Sequence, residues 1–186
     1  MHDLKLFMIL LGCKPPGRHT EQHDFFFGIA ASLKDLVPEI NSFWPEAPTV
    51  HIDGWREVTC VDNYQVKVVL KSESTGYQRS PGLFFINLGG YTRNKFEEQH
   101  YAMLTVKNDK ATAFATGKET FFYKNTYFKG AVSHIDDKYG IDVDDLYEIE
   151  ELLTASQKEL YSIELMPVSG LKEDPLHLGY IKLSSL

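Results

Sequence analysis

The chain has 186 residues, 43% apolar and 24% charged, with a formal net charge of −7. These proportions are globular and suffice for one ordinary domain or two small ones, which excludes a disordered or fibrous chain. An acidic balance without a basic stripe argues against a nucleic-acid partner, and no apolar run reaches the length of a membrane span.

The first apolar run, residues 6–11, ends at Gly12 and reads as a buried strand. Leu10-Leu11-Gly12-Cys13 superficially resembles the end of a lipoprotein signal. The run is short for that role, Lys5 is its only nearby cation, and residues 83–90 repeat the pattern in mid-chain. Cys13 and Cys60 form neither a CxxC nor a zinc spacing and are too few for a disulfide scaffold, so a reducing cytoplasm is the expected compartment. Neither has a histidine beside it in sequence to support a nucleophilic role.

After Gly12 comes a loop containing Arg18, and a glycine loop with a cation can hold a phosphate or carboxylate. An ordinary solvated turn is the competing reading. Glu21-Gln22-His23 then opens a second strand, expected over residues 23–31, in which Phe25-Phe26-Phe27 lacks alternation and suggests cover on both faces. Ser32 and Asp35 have capping-box spacing ahead of an apolar stripe, Leu33, Leu36, Val37, Ile40 and Phe43, and Pro38 inside it predicts a kink or a late helix start. His51-Ile52-Asp53 follows, and residues 64–68 alternate as a half-buried strand does. Trp44 and Trp55 read as packing residues, and residues 71–82 as a linker.

The same order then recurs. Residues 84–89 end in glycine, a loop carries Lys95 in the place of Arg18, and Glu98-Gln99-His100 opens a strand over residues 100–107. Asp109 takes the capping position of Ser32, with Ala111, Phe114, Ala115 and Phe122 as the expected buried face, and His134-Ile135-Asp136 matches His51-Ile52-Asp53. More loosely, Val143-Asp144-Asp145 faces Val61-Asp62-Asn63, and residues 161–165 resemble residues 64–68. An insertion at about residues 146–160 has helical spacing, with a strand and turn as the alternative, and residues 180–183 read as a last strand. The expected organisation is a first repeat at 4–70, a linker at 71–82, a second repeat at 83–166 and a C-terminal strand or tail at 167–186. The fold class is α+β: two pseudo-symmetric β-β-α-β-β repeats with mostly antiparallel sheets and amphipathic helices on one face.

This order of motifs, strand-glycine-loop, Glu-x-His, amphipathic helix, His-x-Asp, resembles the bacterial family known as domain of unknown function 1543, in a tandem form covering about residues 4–70 and 83–166. The resemblance implies a fold and carries no assigned activity.

The residues that carry chemistry are Glu21, His23, His51 and Asp53, with Glu98, His100, His134 and Asp136 as the second set. Strand residues two apart share a face, so neighbouring strands would bring two imidazoles and two carboxylates together. Such a set satisfies itself as a buried polar network, holds zinc or non-haem iron with His23 and His51 as candidate ligands, or works as an acid–base pair. No cofactor is expected, although the ligand types leave a divalent metal open. The expected role is a non-catalytic binding or assembly module with a small anionic ligand or an oligomer surface. The alternative is a small metal-dependent or His/carboxylate enzyme of hydrolase type.

Overall fold

The computed structural model describes residues 4–47, 49–74, 81–91, 94–125 and 143–186. In chain order the elements are β1 (Lys5–Cys13), β2 (Gln22–Ala30), a 3₁₀ turn (Leu33–Leu36), α1 (Val37–Phe43), β3 (Val50–Glu57), β4 (Cys60–Val61) and β5 (Tyr64–Leu70). They continue through β6 (Gly82–Gly90), β7 (Gln99–Lys107), α2 (Lys110–Lys118), α3 (Phe121–Asn125) and β8 (Val143–Glu148). The chain closes with α4 (Ile149–Leu152), α5 (Ala155–Leu160), β9 (Tyr161–Pro167), β10 (His177–Lys182) and a second 3₁₀ turn (Leu183–Ser185). The fold is mixed α+β, and among the described residues every strand pairing is antiparallel. No described helix is long and apolar enough to cross a membrane.

The chain divides into two compact units, Met1–Tyr77 with Leu152–Leu186, and Gln78–Glu151. The first contains a four-stranded sheet in the order β10-β3-β1-β2 and a three-stranded sheet β4-β5-β9; the second contains the sheet β7-β6-β8.

In the first unit, alternation along β1 sends Phe7, Ile9 and Leu11 to one face, where they meet Phe26, Ile52, Leu36 and Ile40. The helical segment covering this face starts in two steps. The Asp35 carboxylate accepts hydrogen bonds from the Ser32 backbone N–H at 3.0 Å and its hydroxyl at 2.7 Å, fixing the 3₁₀ turn. Pro38 then falls in the first turn of α1, where its missing N–H has no helical partner to lose, and the helix begins late as its position predicts. The other face of this sheet is also covered, with Phe27 2% exposed beside Phe26 at 4%, so the phenylalanine run is buried on both sides.

In the second unit Phe84, Ile86 and Leu88 form the equivalent apolar row under α2. Asp109 caps that helix, its Oδ1 accepting from the Thr112 N–H at 2.7 Å. The buried face of α2 is Ala113 and Gly117 with Phe114 half-buried, whereas Ala111 and Ala115 are exposed. Only the smallest residues fit here, because a Cβ on Gly117 would already touch Ile86 and Leu88 at 3.4 Å.

One looser correspondence expected from sequence, Val143-Asp144-Asp145 with Val61-Asp62-Asn63, does not hold. Asp62 and Asn63, at φ of 51° and 62°, form the two-residue turn joining β4 to β5, whereas Val143–Glu148 is a strand. Residues 64–68 and 161–165 are strands of one sheet that pair with each other, Val66 opposite Leu165. The segment at 146–160 is the end of β8 followed by α4 and α5.

Candidate functional site

Gly12 sits near the end of β1 with a partner on each side, His23 on β2 and His51 on β3. Residues directly opposite on neighbouring strands share a face, so the two imidazoles flank a position that has no side chain of its own. This is the face away from Leu11 and Ile52, which are in the apolar core. Glu21 precedes β2 and lies two residues before His23, on the same side. Asp53 arrives differently. The β1–β3 register shifts between Leu10, opposite Gly54, and Leu11, opposite Ile52, leaving Asp53 as the extra residue of a β-bulge.

The four side chains converge. His51 Nε2 lies 3.1 Å from Glu21 Oε1 and 3.3 Å from Asp53 Oδ1. His23 Nε2 lies 3.3 Å from Asp53 Oδ2 and 3.9 Å from Glu21 Oε2. The set is graded in depth, with side-chain exposures of 9% for His51, 26% for Asp53, 46% for Glu21 and 48% for His23. It is therefore a shelf with a buried floor and an open lip. Asp53 Oδ2 is buried without a hydrogen bond. A Cβ at Gly12 would come within 2.5 Å of His51 Nε2 and collide with Asp53 Oδ2, so only glycine leaves room for this convergence.

One neighbour of the shelf, Tyr180, was not singled out by sequence reasoning. The Tyr180 ring covers His51 at 4.3 Å between centroids, because the β3–β10 register shifts between Leu178 and Ile181. Asp174 helps hold the chain leading into β10, its Oδ2 accepting from the N–H groups of Thr59 and Cys60 at 2.8 and 3.1 Å. A tyrosine in a terminal strand carries no local sign of this contact. Cys13 is buried, and burial, reinforced by the Glu21 charge, pushes its thiol up, away from a thiolate nucleophile.

In the second unit, Gly89 faces His100 as Gly12 faces His23. His134 and Asp136 lie outside the described residues. The strand on the other side of β6 is β8, with Val143 opposite Leu88 and Asp145 opposite Asn87 across a register shift at the place where β1 and β3 have theirs. Glu98 accepts from the Tyr91 hydroxyl at 3.3 Å, and Asn87 Nδ2 lies 3.5 Å from His100 Nδ1.

The anion-binding candidates Arg18 and Lys95 lie on exposed loops. Arg18 closes a turn through its N–H to the Pro15 carbonyl at 3.2 Å, with Pro16 and Gly17 (φ 77°) at the centre, the pattern of a type II turn. Lys95 follows Asn94, which has a φ of 67°.

Residues 18–68 match the family model described as Domain of Unknown Function (DUF1543). The matched stretch contains Glu21, His23, His51 and Asp53, and it supports the family resemblance for that segment. No curated protein matches the chain. Among solved structures, the crystal structure of a protein Il1583 from Idiomarina loihiensis is similar, with a TM-score of 0.65 over 97% of this chain and 99% of that one. The two are 19% identical, a likeness of fold.

Proposed function

We propose that the chain is a non-catalytic binding module of two related halves, with the Gly12 shelf in the first half as its ligand site. The observation that carries this reading is the depth profile of the shelf: His51 is 9% exposed, whereas Glu21 and His23 at its lip are 46% and 48% exposed. A polar network that serves only to satisfy buried groups has its partners under packed side chains. Here half of the set faces solvent, and one buried carboxylate oxygen has no hydrogen bond. The related halves are supported by the matching registers, Gly12 with His23 and Gly89 with His100.

The test is the stability of Glu21→Gln and His23→Gln, followed by thermal and urea unfolding of the ligand-free chain. A binding lip predicts losses within about 0.5 kcal/mol, the usual range for surface positions. A structural network predicts roughly 1–3 kcal/mol for either change, and that result would remove the binding reading.

A further inference from the structure

Resting on the binding-module reading, we propose that the shelf holds a divalent transition-metal ion through His23 Nε2, His51 Nε2 and one oxygen each from Glu21 and Asp53. The argument begins with the alternation of the four groups. Each carboxylate turns one oxygen toward each imidazole, so the four side chains alternate in a closed circuit of contacts at 3.1, 3.3, 3.3 and 3.9 Å that uses both oxygens of each carboxylate. Donor atoms around a tetrahedral ion with bonds of about 2.0–2.1 Å stand about 3.3 Å apart. With one oxygen from each carboxylate, His51 Nε2 to Glu21 Oε1 at 3.1 Å and His23 Nε2 to Asp53 Oδ2 at 3.3 Å approximate that spacing. As they stand, the described side chains include no group of three or more His, Cys, Asp or Glu placed to hold a metal ion, so the ion requires side chains to turn. The loose edge involves Glu21 and His23, the two half-exposed members, which are the ones free to turn inward.

Hydrogen bonding accounts for the circuit less well. A ring Nε2 carries one hydrogen or one lone pair, so it bonds one partner, yet each Nε2 here faces oxygens from two different carboxylates. Asp53 Oδ2 shows the consequence, being buried without a hydrogen bond although His23 Nε2 is 3.3 Å away. Two carboxylates facing the same ring nitrogens also repel, and a cation between them reverses that cost. One ion would use a single lone pair from each ring and engage both carboxylates together. Gly12 belongs to the same design, because any larger residue there would collide with two of the four donors. Two imidazoles with two carboxylates favour zinc, iron or nickel over magnesium or calcium, which prefer all-oxygen shells.

The experiment uses the full chain stripped with chelator, titrated with Zn²⁺ and Co²⁺ by calorimetry and visible absorption, with Mg²⁺ as control. The expected result is Zn²⁺ binding that raises Tm, and a Co²⁺ d–d spectrum of low-symmetry nitrogen and oxygen coordination that Zn²⁺ abolishes. His23→Gln and His51→Gln should each weaken Zn²⁺ by about 100-fold or more, since losing even an outer-shell partner costs about 10–100-fold. His51 is buried, so if its variant fails to fold by circular dichroism, the half-exposed His23→Gln carries the comparison. Absence of Zn²⁺ binding and of a Co²⁺ spectrum in the unaltered chain overturns the proposal, as does unchanged affinity in His23→Gln. If metal fails while Glu21→Gln and His23→Gln keep full stability, the metal falls and the binding-module reading stands; strong destabilisation of those variants removes that reading itself.

Discussion

Around Gly12 the glutamate and histidine of the Glu-x-His tripeptide face a second histidine and an aspartate across β1, all within 3.9 Å of a partner in the set. Around Gly89 the described partners of the same tripeptide include Tyr91, which donates to Glu98, and the Asn87 amide, which approaches His100. The strand register is shared, down to the shift at Leu10/Leu11 and at Asn87/Leu88. At the matching positions Leu10 corresponds to Asn87 and Ile52 to Val143, while the extra residue of the shift is an aspartate in both, Asp53 and Asp144. Register decides which positions can converge, and residue identity decides which groups meet there.

The largest expected effect separates the two regions as folding units. Leu11 and Leu88 are both fully buried in their own apolar rows, and Leu11→Ala or Leu88→Ala should each cost about 2–5 kcal/mol. Urea unfolding followed by hydrogen exchange should localise the first loss to residues of the first unit and the second to residues of the second. Identical exchange patterns for both variants would mean that the two regions cannot be treated separately.

An intermediate effect sharpens the contrast between the sites. Gly12→Ala drives a methyl group into His51 and Asp53, and overpacking of this kind costs about 1–3 kcal/mol. The substitution should also lower Zn²⁺ affinity, read by calorimetry. Retention of both stability and affinity would show that the donors need no bare backbone beneath them.

The smallest effect concerns the caps. The Thr112 backbone N–H holds the Asp109 carboxyl below its usual pKa, so the charged form is stabilised in the folded chain. The corresponding stability is present at neutral pH and is lost as pH falls through the folded value, below the ordinary carboxylate range. Asp109→Ala should therefore lower Tm at neutral pH and converge on the parent protein in acid. A constant difference across that range would assign the effect to helix propensity alone.

Much of the local structure was legible because it depends on near neighbours. Apolar runs ending in glycine marked β1 and β6, Ser32 with Asp35 and Asp109 marked the helix starts, and Pro38 marked the delay before α1. The grouping of Glu21, His23, His51 and Asp53 was readable only in part: residues two apart can share a face, but the two tripeptides were expected on neighbouring strands, whereas β2 and β3 flank β1 and meet across Gly12. The buried face of α2 was missed by two residues because close packing on Ile86 and Leu88 selected Ala113 and Gly117 over larger or differently placed side chains.

By itself, then, the sequence determined the order of β1, β2, α1 and β3 and of β6, β7 and α2, and which polar residues were eligible to meet. Only the tertiary structure decided that Asp53 would occupy a bulge, that β5 would pair with β9, and that Tyr180 would cover His51. The physical reason is range: propensity, capping and alternation act within a few residues. Strand partners and register shifts are selected by packing between segments far apart in the chain, for which no short stretch of sequence holds the competing energies.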